Sequence, residues 1–419
     1  MRRPPSARAG TDRGSMAATD AAALRPRESP AGGARPREDR PLAGAAVRER
    51  IPLMMPSLPT ADELLPYLRR IDANRWYSNF GPLVGEFEAR IAASFAEEGA
   101  CRVISVSSCT TGIELALRAL ALPAGAPILV PALTFIATAS AVRCAGLSPV
   151  VADVDPDSWL LTPGIARAAV REIGARAVVP VTTFGAEQDG EAWSAFAHDT
   201  HVPVIIDAAA GFGNQRDPGP TCAVFSLHAT KPLAAGEGGF VVTRDAHLAH
   251  AIRRLSNFGI NLDRPHDGPI GSAVATGTNA KLSEYHAAVA LASLDRWAAT
   301  AAERSALYAR AVRAMQSACG GRLAMQAAPS DTVRSVCAFR FPDPGVRDRV
   351  ELICGQRGIG TRRWYLPTID RQPAFGHVAH LPTPCADHLG ERLLGVPFYP
   401  GLAASAIDEI AEALGSAFS

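Results

Sequence analysis

The chain has 419 residues, 47% of them hydrophobic and 20% charged, and its formal net charge at pH 7 is +1. A chain of this length suits roughly two or three domains, and its near-neutral charge excludes binding to nucleic acid or membranes through bulk electrostatics. Its eight cysteines lack metal-ligand spacing, so we expect no metal site. The cysteine usage, with no apolar run long enough to span a bilayer, predicts a cytoplasmic protein.

Residues 1–50 differ in composition from the rest of the chain. They carry 11 arginines against six acidic side chains and are rich in alanine and proline. Such a segment buries too little apolar surface to offset the entropy lost on ordering, so it is predicted to be a disordered tail. It is an idle extension, a mis-assigned start or a basic arm; we expect no nucleic-acid partner and no membrane partner.

Helical spacing of apolar residues predicts two helices after the tail, at residues 61–71 and 83–95. Short apolar runs then alternate with helical stretches as far as residue 243. The predicted strands are residues 103–106, 128–130, 150–154, 177–181, 202–206, 223–225 and 240–243, and the helices between them include 113–121, 137–145 and 164–173. Continuous apolar strands separated by helices are typical of a largely parallel sheet that is covered on both faces.

The pattern changes near residues 296–303. Helices at 299–317, 346–356 and 403–417, with a strand at 333–341, predict a smaller α+β domain. The expected organisation is therefore a tail (1–50), a large α/β domain (51–298) and a small C-terminal domain (299–419).

Lysine occurs at two positions, Lys231 and Lys281, whereas the other 40 of the 42 basic residues are arginine. A primary amine can lose its proton near neutral pH and attack a carbonyl, which a guanidinium does not do. Lys231 lies between an apolar run that ends at Ser226 and a glycine-rich stretch, residues 236–239. It is therefore either a surface lysine on a loop or a reactive amine.

Asp207 ends the apolar run of residues 202–207. A carboxylate at the end of a buried strand is costly unless a cation or a strong donor meets it. One such partner is the ring nitrogen of pyridoxal phosphate, which acts as an electron sink when that nitrogen is protonated. The alternative is a helix N-cap, for which aspartate is also favoured.

Two further stretches follow predicted strands. Thr111 and Glu114 match a capping box, which predicts a helix N-terminus at this point. A helix N-terminus would suit a phosphate, and the hydroxyl of Ser226 could bind the same phosphate. Phe135 could stack on a planar ring or lie in the core. A single cofactor, pyridoxal phosphate, accounts for the helix N-terminus, the aromatic ring, the buried acid and the lysine together.

The chain from about residue 51 to 414 resembles the DegT/DnrJ/StrS family of pyridoxal-phosphate-dependent nucleotide-sugar aminotransferases. The stretches that carry the resemblance are residues 78–84, 131–139, 207–213, 225–231, 236–239, 277–284 and 391–401. They occur in the family's order, and only the first 50 residues lie outside the match.

The resemblance implies an α/β, fold-type I aminotransferase with a mostly parallel seven-stranded sheet, acting as a homodimer with active sites at the subunit interface. Lys231 would be the Schiff-base lysine and proton shuttle, and Asp207 would pair with the pyridinium nitrogen. The remaining expected cofactor contacts are stacking by Phe135, phosphate binding by Cys109, Thr110 and Ser226, and a contact from Asn279 to the partner subunit's phosphate.

The expected reaction transfers an amino group from an amino acid, with glutamate favoured, to a keto group of a nucleotide-linked sugar. A 4-keto-6-deoxy sugar is favoured because residues 360–365 resemble members acting at C4; Tyr77 and Arg362 are the expected substrate contacts. Ala210 and Thr182 depart from the family pattern, which usually has His or Gln at the first position and His at the second. The alternatives are a cyclitol (inosose) aminotransferase, a regulator that binds pyridoxal phosphate or a nucleotide sugar, and a dehydratase, which Lys231 disfavours.

Overall fold

The computed structural model describes residues 50–95 and 100–418. The predicted tail, apart from Arg50, lies outside the described residues.

Seven strands of the described chain form the central sheet. They are β1 (Arg102–Val106), β2 (Pro127–Pro131), β3 (Ser148–Ala152), β4 (Ala177–Val178), β5 (Ile205–Asp207), β6 (Cys222–Ser226) and β7 (Gly239–Thr243). Hydrogen bonds order them as β3-β2-β4 and β5-β6-β7-β1, and parallel bridges from Val178 to Val204 and from Val181 to Asp207 connect the two groups. Only β7 runs antiparallel to its neighbours, β1 and β6. The predicted seven-stranded, mostly parallel sheet is confirmed.

Helices surround this sheet, and a second, two-stranded sheet follows. The helices are α1 (Ala61–Asn74), α2 (Pro82–Ser94), α3 (Cys109–Ala119), α4 (Ala137–Cys144), α5 (Pro163–Ile173), α6 (Gly190–Thr200), α7 (Ala246–Ser256), α8 (Glu284–Asp295), α9 (Trp297–Ala318), α10 (Pro344–Gln356), α11 (Pro384–Arg392) and α12 (Ala404–Ser416). The two remaining strands, β8 (Cys337–Arg340) and β9 (Leu393–Val396), pair antiparallel.

Helix α3 begins earlier than its sequence pattern predicts. Its N-cap is Ser108, whose Oγ accepts a hydrogen bond of 3.1 Å from the backbone N–H of Thr111. Glu114 instead pairs with Arg118 one turn later, at 3.2 Å. The predicted Thr111–Glu114 capping box is therefore wrong, because Ser108 already satisfies the first turn of the helix.

The side chains of the sheet alternate between two cores. Along β7, Val241 belongs to one cluster of buried residues, whereas Phe240 and Val242 belong to the other, as expected for a sheet covered on both faces. A third cluster joins α9, α10 and α12 to β8 and β9 through residues that include Met315, Phe339, Val350, Ile410 and Leu414. The division into domains at residue 298 stays a prediction. In the part of the chain described, no helix is both long and apolar enough to cross a membrane.

Candidate active site

Asp207 lies at the carboxyl end of β5, and only 4% of its surface is exposed. Its Oδ2 accepts a 2.8 Å hydrogen bond from the Thr138 hydroxyl, and its Oδ1 accepts one of 3.1 Å from the backbone N–H of Ala209. The thiol of Cys109 also donates to Oδ1, at 3.7 Å. Burial raises the pKa of Asp207, while Thr138, Ala209 and the positive charge of Lys231 act in the opposite direction.

Lys231 follows β6 on a loop whose turn is closed by a 2.9 Å hydrogen bond from its own N–H to the carbonyl of His228. Burial lowers the pKa of the Lys231 amine, and the nearby Asp207 carboxylate opposes that shift. The two residues that the sequence analysis singled out are thus electrostatic neighbours. An amine in this environment loses its proton more readily than an exposed lysine does.

The N-terminus of α3 lies against the start of β7. A side chain at Gly239 would come within 2.6 Å of the backbone nitrogen of Cys109, so only glycine permits this approach. Among the described residues, the first-turn amides of Cys109 and Thr110 have no protein acceptor, as is usual at a helix N-terminus. Ser226 faces Gly239 across the β6–β7 ladder, and its Oγ accepts a 3.2 Å hydrogen bond from the His228 N–H, which leaves its own proton available.

The side chain of Cys109 is directed away from this N-terminus. Its thiol contacts Asp207 and the carbonyl of Val224, the latter at 3.3 Å. Any phosphate contact from Cys109 would therefore use the backbone N–H, a distinction that the sequence does not make.

Phe135 follows β2 with 49% of its surface exposed, as a ring available for stacking requires. It contacts Tyr365 at a centroid distance of 6.4 Å, and Tyr365 stacks on Phe184 at 5.7 Å with an interplanar angle of 22°. Burial and the neighbouring Asp207 raise the pKa of Tyr365, whereas Arg362 opposes them. Neither Tyr365 nor Phe184 is among the site residues predicted from the sequence; the only signal is the position of Tyr365 within the 360–365 stretch.

The loop that carries Phe184 is held from the C-terminal part of the chain. Phe184 has a left-handed backbone, with φ of 60°. Gln326 donates to the carbonyl of Thr183 at 3.0 Å, and Ser335 N–H donates to that of Phe184 at 3.2 Å. The Asn214 side chain bridges the carbonyls of Gly185 and Val333, at 2.7 and 3.0 Å. We call these contacts the loop ties.

Three predicted residues lie on the surface. Asn279 is exposed and accepts a 2.6 Å hydrogen bond from Lys281 Nζ. Tyr77 is 48% exposed and stacks on Tyr285, with ring centroids 6.2 Å apart. Arg362 is exposed and lies over the ring of Trp364.

These features fit pyridoxal phosphate. Asp207 forms no ion pair with any described cation, so a cationic ring nitrogen would supply the charge that this buried carboxylate lacks. The amine of Lys231 interacts with it electrostatically, and a helix N-terminus with free amides suits a phosphate.

Residues 60–415 match the model of the DegT/DnrJ/EryC1/StrS aminotransferase family. The chain belongs to this family. It is a pyridoxal-phosphate-dependent transaminase and has the fold of such enzymes. The predicted cofactor and the predicted fold class are therefore confirmed.

Solved structures with the same fold support this membership. A putative PLP-dependent aminotransferase from Bacillus cereus ATCC 10987 is 26% identical, with a TM-score of 0.80, and the match covers 88% of this chain and 100% of that one. DesI, crystallised in the presence of its TDP-sugar product, is 30% identical, with a TM-score of 0.76 over 88% of this chain and 94% of its own. DesV from S. venezuelae is 27% identical, with a TM-score of 0.74, and the match covers 86% of this chain and 98% of that one.

Proposed function

We propose that this transaminase moves an amino group from an amino acid, glutamate in the favoured case, to a keto group of a nucleotide-linked sugar, favouring a 4-keto-6-deoxy sugar. The observation that carries the proposal is the electrostatic interaction between the amine of Lys231, on the loop after β6, and the buried carboxylate of Asp207, at the end of the neighbouring strand β5. The sugar acceptor is supported by the likeness to DesI, whose structure was determined with its TDP-sugar product.

Lys231 is the residue that bonds to the cofactor and later moves the proton. Because burial lowers the pKa of its amine, a larger fraction is unprotonated near neutral pH and able to attack a carbonyl carbon. With the cofactor and substrate bound, the same amine would carry the proton between the substrate-derived carbon and the cofactor carbon.

Bound pyridoxal phosphate supplies an electron sink for the bonds made and broken at the amino-bearing carbon. Asp207 would keep the ring nitrogen protonated. The amides of Cys109 and Thr110 and the hydroxyl of Ser226 would hold the phosphate at the N-terminus of α3, and the exposed ring of Phe135 would stack on the cofactor.

Surface residues contact the substrate, and a second subunit completes the cofactor site. Tyr77 and Arg362 are exposed and thus accessible to a substrate, and Asn279 would reach the cofactor phosphate of the partner subunit. Large half-exposed apolar side chains occur along the chain around Asn279, and a subunit interface would cover them; they are Phe258, Leu262, Ile270 and Tyr285.

The amino transfer is tested by the absorbance spectrum of the purified protein before and after glutamate. We expect a visible band from the lysine-bound cofactor that bleaches with glutamate and is missing in Lys231→Ala. Acceptors are then compared, using nucleotide-linked 4-keto-6-deoxy sugars against an inosose. Turnover of the inosose alone would replace the sugar proposal with the cyclitol alternative, and a spectrum without a band after reconstitution would contradict the role of Lys231.

The shared site is tested by mixing subunits. Co-refolded Lys231→Ala and Asn279→Ala chains would form hybrid dimers in which one site has both residues, so activity should rise above that of either variant. Lys231→Ala mixed with Asp207→Ala is the matched control, because both residues belong to one subunit's site and no mixture restores it. Equal activity in the two mixtures would contradict the shared site.

A further inference from the structure

Two buried threonines on the segment that carries Phe135 form a chain of hydrogen bonds that ends at Asp207. Thr138 is 1% exposed and donates to Asp207 Oδ2 at 2.8 Å. The hydroxyl of Thr134, which is 3% exposed, lies 3.1 Å from that of Thr138. Neither threonine contacts the cofactor in the function proposed above.

The direction of this chain follows from proton counting. An ionised carboxylate has no proton to give, so Thr138 must donate to Asp207. The single hydroxyl proton of Thr138 is then used, and Thr138 accepts from Thr134. Hydrogen bonds aligned in this way polarise one another, which strengthens the bond to the carboxylate.

The same contacts fix how much of Asp207 remains free. A carboxylate offers about four acceptor positions. Ala209 occupies one on Oδ1, and Thr138 occupies one on Oδ2. The single thiol proton of Cys109 lies between Oδ1, at 3.7 Å, and the nearer carbonyl of Val224, at 3.3 Å. One position on Oδ2 is left for a donor on the cofactor side.

The other titratable groups that face Asp207 come from three separate parts of the chain. They are Cys109 on α3, Lys231 on the loop after β6 and Tyr365 from the C-terminal part. Burial raises the pKa of the Cys109 thiol and of the Tyr365 hydroxyl, so both are neutral at physiological pH. Lys231 and the hydrogen-bond donors are then what oppose the effect of burial on Asp207.

We propose that Thr138, backed by Thr134, is a positioning residue that keeps Asp207 ionised and turns the free acceptor position on its Oδ2 toward the cofactor's ring nitrogen. This inference rests on the proposed role of Asp207. It gives the family stretch of residues 131–139 two roles: the exposed ring of Phe135 would stack on the cofactor, and the buried threonines hold the carboxylate of Asp207.

The test is the dissociation constant of pyridoxal phosphate, measured by titrating cofactor-free protein at a series of pH values. At neutral pH, Thr138→Val should weaken binding about 10- to 100-fold, the usual effect of losing a hydrogen bond to a charged group. Its binding should also begin to fail at a higher pH than in the wild type, because Asp207 takes up a proton more readily. Thr134→Val should change the dissociation constant and the pH at which binding begins to fail in the same directions, but by less. Thr138→Ser should show the wild-type values of both.

A matched control removes a buried hydroxyl elsewhere. Thr243 on β7 is fully buried and donates to the carbonyl of Thr221 at 2.7 Å. Thr243→Val should lower the free energy of unfolding without moving the pH dependence of cofactor binding. An equal shift in this control would overturn the proposal, since it would show a general effect of buried hydroxyls.

Asp207→Asn separates this inference from the proposed function. If Asp207→Asn binds the cofactor like the wild type at every pH, the proposed role of Asp207 itself fails. If Asp207→Asn is impaired while Thr138→Val and Thr134→Val behave like the wild type, only the threonine chain is refuted. Because Thr134→Val leaves Thr138 in place, it gives the same information if Thr138→Val fails to fold.

Discussion

Glu284 and Leu83, 201 positions apart in sequence, are joined by a 2.9 Å hydrogen bond from the backbone N–H of Leu83 to the Glu284 carboxylate. The other carboxylate oxygen accepts from the N–H of Val84, also at 2.9 Å. A side chain at Gly81 would come within 2.6 Å of the Glu284 carboxyl carbon. Two stretches of the family pattern, residues 78–84 and 277–284, therefore meet here, where a buried acid caps the N-terminus of α2.

Glu284→Ala should lower the free energy of unfolding by about 2 to 3 kcal/mol, since it leaves two backbone donors of α2 without an acceptor. Glu284→Gln keeps one acceptor oxygen and should lose roughly half of that amount. Urea unfolding measures the free energy of unfolding of both Glu284 variants. Asp408→Ala, at an exposed position, is the control and should change stability by less than about 0.5 kcal/mol. An unchanged midpoint in Glu284→Ala would refute the cap.

The second prediction uses the chain's two lysines. Borohydride reduction of the protein loaded with pyridoxal phosphate should fix the label on Lys231, because burial lowers the pKa of that amine and Asp207 is its electrostatic neighbour. Lys281 is the matched control; its amine lies over the ring of Phe258 and is tied to Asn279. Peptide mass spectrometry should find the label in wild type and Lys281→Ala and none in Lys231→Ala. Turnover by Lys231→Ala should fall at least about a hundredfold.

The third prediction concerns stability without cofactor. Burial raises the pKa of Asp207 in the folded chain, so the folded state binds this proton more readily than the unfolded state does. The wild type therefore loses stability relative to Asp207→Asn as pH rises from the ordinary aspartate range through the raised value. At neutral pH the cofactor-free Asn variant should therefore be the more stable protein.

Urea unfolding at several pH values checks this order. The difference between the two proteins should shrink on acidification, and adding pyridoxal phosphate should stabilise the wild type more than the variant. A cofactor-free wild type that is the more stable protein at neutral pH would contradict the prediction.

The fourth prediction separates the phosphate contact from the rest of the cofactor. Ser226→Ala should weaken the binding of pyridoxal phosphate about tenfold, the effect of losing one hydrogen bond to a charged group. Binding of pyridoxal, which has no phosphate, should stay the same. Ser256, buried and bonded to the carbonyl of Arg253 at 2.8 Å, supplies the control variant Ser256→Ala. Equal losses for both ligands would argue against a phosphate contact by Ser226.

The sequence predicted the sheet and several helices because apolar periodicity is local. It missed α8, whose buried alanines leave little contrast between polar and apolar positions, and it also missed α6, α7 and α11. Asp207 and Lys231 could be singled out because a carboxylate after an apolar strand and a rare lysine are unusual in themselves.

The rest of the site depends on distant pairs. Thr138 lies 69 positions from Asp207, and nothing in a threonine at the start of a helix indicates which acceptor it will meet. Tyr365 and Phe184 come from separate parts of the chain, and only folding places their rings together. Cys109 was predicted as a phosphate contact, but the sequence does not indicate whether its thiol or its backbone N–H would make it; the thiol is turned toward Asp207, because side-chain direction depends on packing.

The loop ties also limit how this enzyme can be recombined with its relatives. Asn214 and Val333 form one tie, and Thr183 and Gln326 form another, so the partners of each lie more than a hundred positions apart. A chimaera whose crossover falls between residues 215 and 325 takes the two sides of each tie from different parents. Such a hybrid retains the backbone conformation around Phe184 only if the second parent supplies amide donors equivalent to those of Gln326 and Ser335. Crossovers before residue 183 or after residue 335 avoid this requirement, because they take all the loop ties from one parent.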